Sequence, residues 1–245
     1  MSGAPLPAGY VSVRAGRCIA VARTEHRADA EAMLEEGSLY EAAARDLGAR
    51  PLAGRGVAYA VVLPRSRVRA VVRHNRHGGL LAPLTRDLFL APTRAPAELS
   101  TALRLASHGV RTPEVLMYGV QRALTVFRRS DVVTREIVDG RDLAAYMRAD
   151  VPPADRAAAW SAARELLRAL GAAGARHHDL NAKNILLAPG AQGLVAWVLD
   201  VDRVVFGAPA SRAVHDGNLA RLLRSARKWR DERGAVFDEA ELAAL

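Results

Sequence analysis

The stretch that most narrows the folds open to this chain is RHHDLNAKNILL, residues 176–187. Two histidines, an aspartate, two asparagines and a lysine crowd against the apolar run Ile185-Leu186-Leu187. A short apolar run bounded in this way reads as a buried strand. Polar groups at the mouth of a buried strand need partners or a task, because one left unsatisfied costs about 1–3 kcal/mol. The spacing suggests the task. His177 lies two residues before Asp179, and Asn184 lies five after it. A loop carboxylate can orient an acceptor hydroxyl and take its proton. An amide at the head of a rigid strand can give an oxygen to a hard cation beside nucleotide phosphates. Both groups are what phosphoryl transfer requires.

H-x-D-x-x-x-x-N is the pattern of a kinase catalytic loop, and it predicts a second carboxylate one β-ribbon later. AWVLDVD supplies it. Asp200 stands 16 positions past Asn184, after two short predicted strands, 184–188 and 194–201, around Pro189-Gly190. Asn184, Asp200 and ATP form an oxygen set suited to Mg²⁺. Lys183, between Asp179 and Asn184, is positioned to meet the γ-phosphate. Taken singly, HHD also reads as a satisfied polar turn and Asp200 as a strand-end cap. The joint pattern, behind the amphipathic segment 155–174, favours phosphoryl transfer. His177 is expected to support the loop. Adjacent His177 and His178 make a poor zinc site, with no Cys or spaced His to complete it.

The two halves of the chain differ in period. Alternation over 10–23, β-branched runs at 56–63 and 67–73 joined by Pro64-Arg65-Ser66, and further strands at 114–120, 123–128 and 131–138 make the first half β-rich. A helix over 96–108 interrupts it, with Gly109 just past its end. The second half reads as helical. Residues 155–174 place Trp160, Ala163, Leu167 and Leu170 on one face with Asp155 as N-cap, and 212–230 is rich in Arg and Leu. The expectation is an α+β, protein-kinase-like bilobal fold. A β-rich N-lobe would span 1–137 and a mainly helical C-lobe 138–245, meeting near Glu136–Gly140.

A nucleotide cradle is sought upstream. Gly54-Arg55-Gly56 precedes the first hairpin strand, where backbone amides can approach a phosphate without Cβ clashes, although a lone G-x-G serves ordinary turns equally well. No lysine occurs before Lys183, so the cation of the third strand of the lobe must be arginine. Arg73 is the well-placed one, sharing a strand face with Arg69 and Val71 by the two-residue period. Its partner should be an acid on the following helix. Glu98 leads an inward stripe with Ala102 and Leu105, though a first-turn Glu also answers the helix dipole.

With 245 residues, half of them hydrophobic, the chain can build one large domain or two small lobes. Its one cysteine, Cys18, excludes an internal disulfide and fits a reducing cytosol. No apolar run reaches the roughly 18 residues of a membrane span. A net charge of +9 favours polyanionic partners, whether or not codon bias contributes. Aromatic residues make up only 5% of the chain, few for a stacking nucleic-acid binder, so nucleic acid is not expected as a partner.

These motifs resemble the 3-deoxy-D-manno-octulosonic acid (Kdo) kinases of lipopolysaccharide inner-core assembly, relatives of the protein kinases. The resemblance is carried in order by GRG at 54–56, VVRHNRHGGL at 71–80 and PLTRDLFL at 83–90. It continues through GVRTP at 109–113, VVTREI at 132–137 and HHDLNAKNILL at 177–187 to LDVDR at 199–203 and NLARLLRSARK at 218–228. Asn75 stands where the family has an aromatic, His77 where a small or basic residue is usual, and Val201 where D-F-D has phenylalanine. The resemblance implies ATP-dependent phosphorylation of the Kdo 4-hydroxyl on a Kdo-lipid A precursor. It assigns Asp179 as base, Asn184 and Asp200 to Mg²⁺, and Arg73, braced by Glu98, with Gly54 and Gly56, to the ATP phosphates. Residues 134–137, with Glu136, would form the adenine hinge. It further implies a cytoplasmic protein in peripheral contact with the anionic inner-membrane surface. The basic segment Arg221, Arg224, Arg227, Lys228 and Arg230 would face headgroups or simply water. A heptose, another small molecule, a protein acceptor or a non-catalytic basic scaffold remains the alternative.

Overall fold

The computed structural model describes residues 5–52, 57–75, 89–90, 93–123, 127–237 and 239. The chain divides into two compact units, Met1–Ser100 with Glu114–Glu136, and Thr101–Pro113 with Ile137–Leu245.

The first unit is a twisted antiparallel sheet with two helices on one face. Its elements are β1 (Tyr10–Ala15), β2 (Cys18–Arg23), α1 (Arg27–Glu35), α2 (Leu39–Arg45), β3 (Arg50–Leu52), β4 (Ala58–Val62), β5 (Arg69–His74), β6 (Phe89–Leu90), β7 (Val115–Arg122) and β8 (Phe127–Arg135). The helix α3 (Arg94–Ser107) begins in this unit and ends in the second. Strand order is β1-β2-β7-β8-β5-β4-β3, with β6 also on β8. The period of two decides what faces where. Ala70 and Val72 of β5 are fully buried among Val61, Leu63, Leu116, Met117 and Val133, with Met33, Leu34 and Leu39 from the helices. Each such Val, Leu or Met contributes about 1.5–3 kcal/mol by leaving water. Arg69, Val71 and Arg73 fall on the opposite face of β5, as alternation predicts. A single element, β8, runs from the end of the strand expected at 123–128 through most of the one expected at 131–138, while residues 124–126 lie outside the described residues. Ser130, in the gap between them, and Asp131, at the start of the second, are both buried and hydrogen-bonded within the continuous strand.

The second unit contains β9 (Arg141–Asp142), α4 (Leu143–Tyr146), α5 (Pro153–Ala172), β10 (Ala175–His177), β11 (Ile185–Gly190), β12 (Gly193–Val198), β13 (Val204–Phe206) and α6 (Arg212–Arg233). A ribbon β12-β11-β9 and a pair β10-β13 frame the polar loop. The helix α5 buries Trp160, Ala163, Leu166, Leu167 and Leu170 and packs against β12 and α6. It starts one turn earlier than Asp155 suggests. Pro152 is the N-cap and Pro153 supplies the pre-set φ of the first turn, in which Asp155 lies. Gly174 follows α5 at φ +66, and a Cβ there would stand 2.6 Å from the carbonyl oxygen of Gly207. Only glycine lets the chain turn from α5 into β10, and so into the polar loop. The chain is thus α+β, with a sheet-dominated unit and a mainly helical unit.

Candidate active site

His177 closes β10 and is fully buried. Its Nε2–H donates to the carbonyl of Leu199 at 2.9 Å, and its Nδ1 accepts the N–H of Asp179 at 3.1 Å. That pair of bonds requires the neutral ring with its proton on Nε2. Burial holds the imidazole below its ordinary range. The Leu199 carbonyl and the charges of Asp200, Asp179 and Asp202 pull the other way and are outweighed. His177 is therefore a neutral spacer between the Asp179 turn and the strand end that carries Asp200.

Asparagines fix the rest of the loop. The carbonyl of Asp179 accepts the Asn184 amide at 2.8 Å and the Asn181 amide at 3.0 Å. Asn181 Oδ1 in turn accepts the Lys183 N–H at 2.9 Å. The backbone carbonyl of Asn184 accepts the N–H of Leu199 at 2.9 Å. Asp179, Asn184 and the Leu199-Asp200 step are thereby tied into one hydrogen-bonded assembly. Asp200 sits at φ 53, ψ 49, a left-handed conformation that non-glycine residues adopt at a cost of about 1–3 kcal/mol. Among the described residues, no three His, Cys, Asp or Glu side chains gather to hold a metal by themselves. Oxygens remain available in the loop, since Asn184 spends its NH₂ group on Asp179 and keeps Oδ1.

A third layer comes from α6, more than 40 residues downstream. Asn218 is fully buried, accepting the N–H of His177 at 2.9 Å and donating to the carbonyl of Ala175 at 2.8 Å. Arg221 donates through Nη2 to Asp179 Oδ1 at 2.6 Å and through Nε to the carbonyl of His178 at 3.3 Å. Ser225 Oγ accepts the N–H of Ala182 at 3.2 Å. The Trp229 ring lies 5.4 Å from the Lys183 ammonium. Positions 218, 221, 225 and 229 share one helix face by their spacing, and they meet the loop in chain order. Nothing in the local sequence of the loop announces them. Lys183, expected at a phosphate, pairs with Asp142 Oδ2 at 3.1 Å, while Asp142 Oδ1 caps α4.

The basic segment of α6 is less free than its charge count suggests. Arg227 and Arg230 both bind Glu239, at 2.8 and 2.9 Å, and Lys228 lies 3.7 Å from Glu232. Arg224 is exposed.

In the first unit, Arg73 on β5 pairs with Glu98 of α3, which is 4% exposed. Arg73 Nη1 also donates to Asn75 Oδ1 at 3.2 Å. Asn75, the departure from the expected aromatic, is buried. It donates through Nδ2 to Ser130 Oγ at 3.2 Å and through its N–H to the Ser130 carbonyl at 2.9 Å. A phenylalanine or tryptophan there has no oxygen with which to brace the guanidinium. Glu136 directs its carboxylate to Arg50 and Arg69, at 2.9 and 2.8 Å, and its N–H to the carbonyl of Arg69. Its side chain and N–H are therefore engaged within the sheet unit, which leaves the backbone carbonyl as its group for a hinge. Gly54 and Gly56 lie outside the described residues, as do residues 76–80 and 83–88 of the glycine-rich and PLTRDLFL stretches.

The profile of the lipopolysaccharide kinase (Kdo/WaaP) family matches residues 48–241. A 3-deoxy-D-manno-octulosonic acid kinase of Haemophilus influenzae is 31% identical over 198 residues, covering 78% of this chain and 80% of that protein. One of Xylella fastidiosa is 34% identical over 200 residues, covering 77% and 74%. Among solved structures, WaaP in complex with acyl carrier protein superposes with a TM-score of 0.50 at 19% identity, covering 84% of this chain and 88% of that one.

Proposed function

The chain belongs to the lipopolysaccharide kinase (Kdo/WaaP) family, and from that membership and its loop geometry we propose that it is a 3-deoxy-D-manno-octulosonic acid kinase. It transfers the γ-phosphoryl group of ATP to the 4-hydroxyl of Kdo on a Kdo-lipid A precursor. The observation that carries this reading is the hydrogen-bonded assembly joining Asp179, Asn184 and the Leu199-Asp200 step.

Asp179 is the base. Its carboxylate, 39% exposed, takes the proton of the acceptor hydroxyl as the oxygen–phosphorus bond forms. Asn184 and Asp200 would hold Mg²⁺, and their oxygens fit a hard cation completed by phosphate oxygens. Bound Mg²⁺ supplies charge neutralisation on those phosphates. His177 keeps the loop and the strand end in register. Arg73, braced by Glu98 and Asn75, serves the ATP phosphates as a permanent cation. Gly54, Gly56 and the carbonyl of Glu136 complete the nucleotide side, and Lys183 acts through Asp142 as a brace. Among the described residues no helix is long and apolar enough to cross a membrane. Contact with the anionic inner-membrane surface from the cytoplasmic side would rest on exposed cations such as Arg224.

The test is phosphotransfer from labelled ATP to Kdo-lipid A precursor, to a heptosylated acceptor and to a protein substrate. Label is expected on the first. Asp179→Ala should lower turnover by about 10²–10⁴-fold while leaving Mg·ATP affinity within a few-fold. Label on the heptose or protein alone would overturn the acceptor, and near-normal turnover of Asp179→Ala would overturn the base.

A further inference from the structure

The cation beside the proposed base is not the lysine of its own loop. Lys183, four residues after Asp179, turns to Asp142 and the ring of Trp229. The charge next to Asp179 is supplied by Arg221 from α6, 2.6 Å from Oδ1. Among the described residues Arg221 is the sole side-chain donor to this carboxylate. The same guanidinium is anchored by its Nε to the carbonyl of His178, one residue before Asp179. It therefore grips both the backbone and the carboxylate of the turn, which fixes the carboxylate torsion as a single salt bridge would not.

The helix under it is immobilised for the purpose. Asn218, one turn earlier, is fully buried and bonded twice to β10, and Ser225, one turn later, holds Ala182. Arg221 is 28% exposed, so its planar head lies at the surface of the loop. Its cationic neighbours along α6, Arg227 and Arg230, are spent on Glu239. The sequence places Arg221 with these in a basic segment. The structure separates it from them.

We infer that Arg221 is the positioning residue for Asp179. It holds Oδ1, so that Oδ2 is the oxygen presented to the acceptor hydroxyl. This rests on the reading of Asp179 as the base. The effect passes through Asp179 and not through contact with ATP or acceptor. A guanidinium suits this work better than an ammonium, because its fork meets two oxygens in one plane and it stays charged throughout the working pH range. A base displaced by about 1 Å loses on the order of 100-fold in rate.

The experiment is a double-mutant cycle on the whole 245-residue chain, read by single-turnover and steady-state kinetics with Kdo-lipid A precursor and Mg·ATP. Arg221→Ala should lower the rate of the chemical step about 10- to 100-fold, with KM for both substrates changed less than about 3-fold. Arg221→Lys should recover part of that loss. In the Asp179→Ala background, adding Arg221→Ala should cost nothing more, since there is no carboxylate left to aim. A persisting loss in that background, or a KM change carrying the effect, would mean Arg221 touches a substrate, and the inference falls. It falls equally if Arg221→Ala and Arg221→Lys turn over like wild type while Asp179→Ala is silent, an outcome that spares the base. If Asp179→Ala itself turns over normally, the base reading fails first. A urea midpoint lowered equally in both Arg221 variants, with their turnover intact, would reduce Arg221 to a strut.

Discussion

Arg73 in the sheet unit and Asp179 in the helical unit are the two charges that the proposed function assigns to chemistry, and their joints differ in kind. Arg73 is aimed by side chains, among them the carboxylate of Glu98 and the amide oxygen of Asn75. Asp179 sits in a turn whose backbone is bonded at 178, 179 and 182, and the strand before it at 175 and 177, most of the donors and acceptors being polar side chains. A strand needs no such scaffolding, because its own ladder fixes the backbone and only the side chain must be aimed. A loop between β10 and β11 has no ladder, so its geometry must be imposed through the carbonyls and N–H groups themselves. Damage to the first joint should therefore appear mainly in catalysis. Damage to the second should appear in stability and catalysis together.

Removing Asn218 is the harshest way to break that contrast. Asn218→Ala orphans the buried N–H of His177 and the carbonyl of Ala175, at about 1–3 kcal/mol for each group. A loss of about 2–6 kcal/mol in unfolding free energy is expected by urea titration, with turnover falling in parallel. An Asn218→Ala protein with native stability and slow turnover would show that α6 does not carry the loop. Glu98→Gln sharpens the other side. The amide keeps the shape but removes the ionised partner of Arg73. The expectation is a loss of about 10- to 30-fold in kcat/KM for Mg·ATP, equivalent to about 1.4–2 kcal/mol, with a smaller change in unfolding free energy. A collapse in stability with kcat/KM unchanged would make the pair a structural ion pair only.

Legibility in the sequence follows the same division. The loop residues lie within eight positions of one another, and their residue types must appear in order, so His177, Asp179 and Asn184 were readable by spacing. Asp200 was readable because a β-ribbon has a predictable length. Arg73 and Glu98 were readable from strand and helix periodicity. The α6 face was not. Asn218, Arg221 and Ser225 are polar residues on a buried face, and polarity along a helix ordinarily signals solvent. Their partners lie 41 to 43 positions away. Asn75 was misleading for a related reason, since its worth depends on Ser130 across the sheet. The gap left at 129–130 closes because Ser130 and the neighbouring Asp131 find partners, Asn75, His74 and Tyr40, that are remote in sequence. The helices α1 and α2 were signalled only weakly. Their buried faces are largely alanine, and the capping box of Ser38 with Glu41 is the one strong local cue.

The smallest expected effect concerns pH and separates the two joints without altering a partner. The loop depends on His177 remaining neutral, with Nδ1 free to accept the N–H of Asp179. Burial keeps the folded imidazole below its ordinary value of 6.5, so in acid the unfolded chain takes up this proton first. Where the unfolded state binds more protons, stability falls as pH falls. The loss should begin near pH 6.5 and continue down to the lower folded value, at no more than about 1.4 kcal/mol per pH unit. The buried carboxylate of Asp29 also has a shifted titration, but at a lower pH. Burial alone would raise it, and hydrogen bonds from Ser66, His26 and Arg65 outweigh that and hold it below its ordinary 3.8. Its contribution is lost only under stronger acid, below the window from pH 7.5 to 5.5, and within that window the comparison with His177→Gln separates this imidazole from the other six histidines of the chain. Urea midpoints across that window should decline for the wild type and flatten for His177→Gln, whose amide does not titrate. The Arg73–Glu98 joint contains no histidine, so Glu98→Gln should retain the wild-type slope. An unchanged decline in His177→Gln would place the titrating group elsewhere and show that the loop tolerates a charged ring.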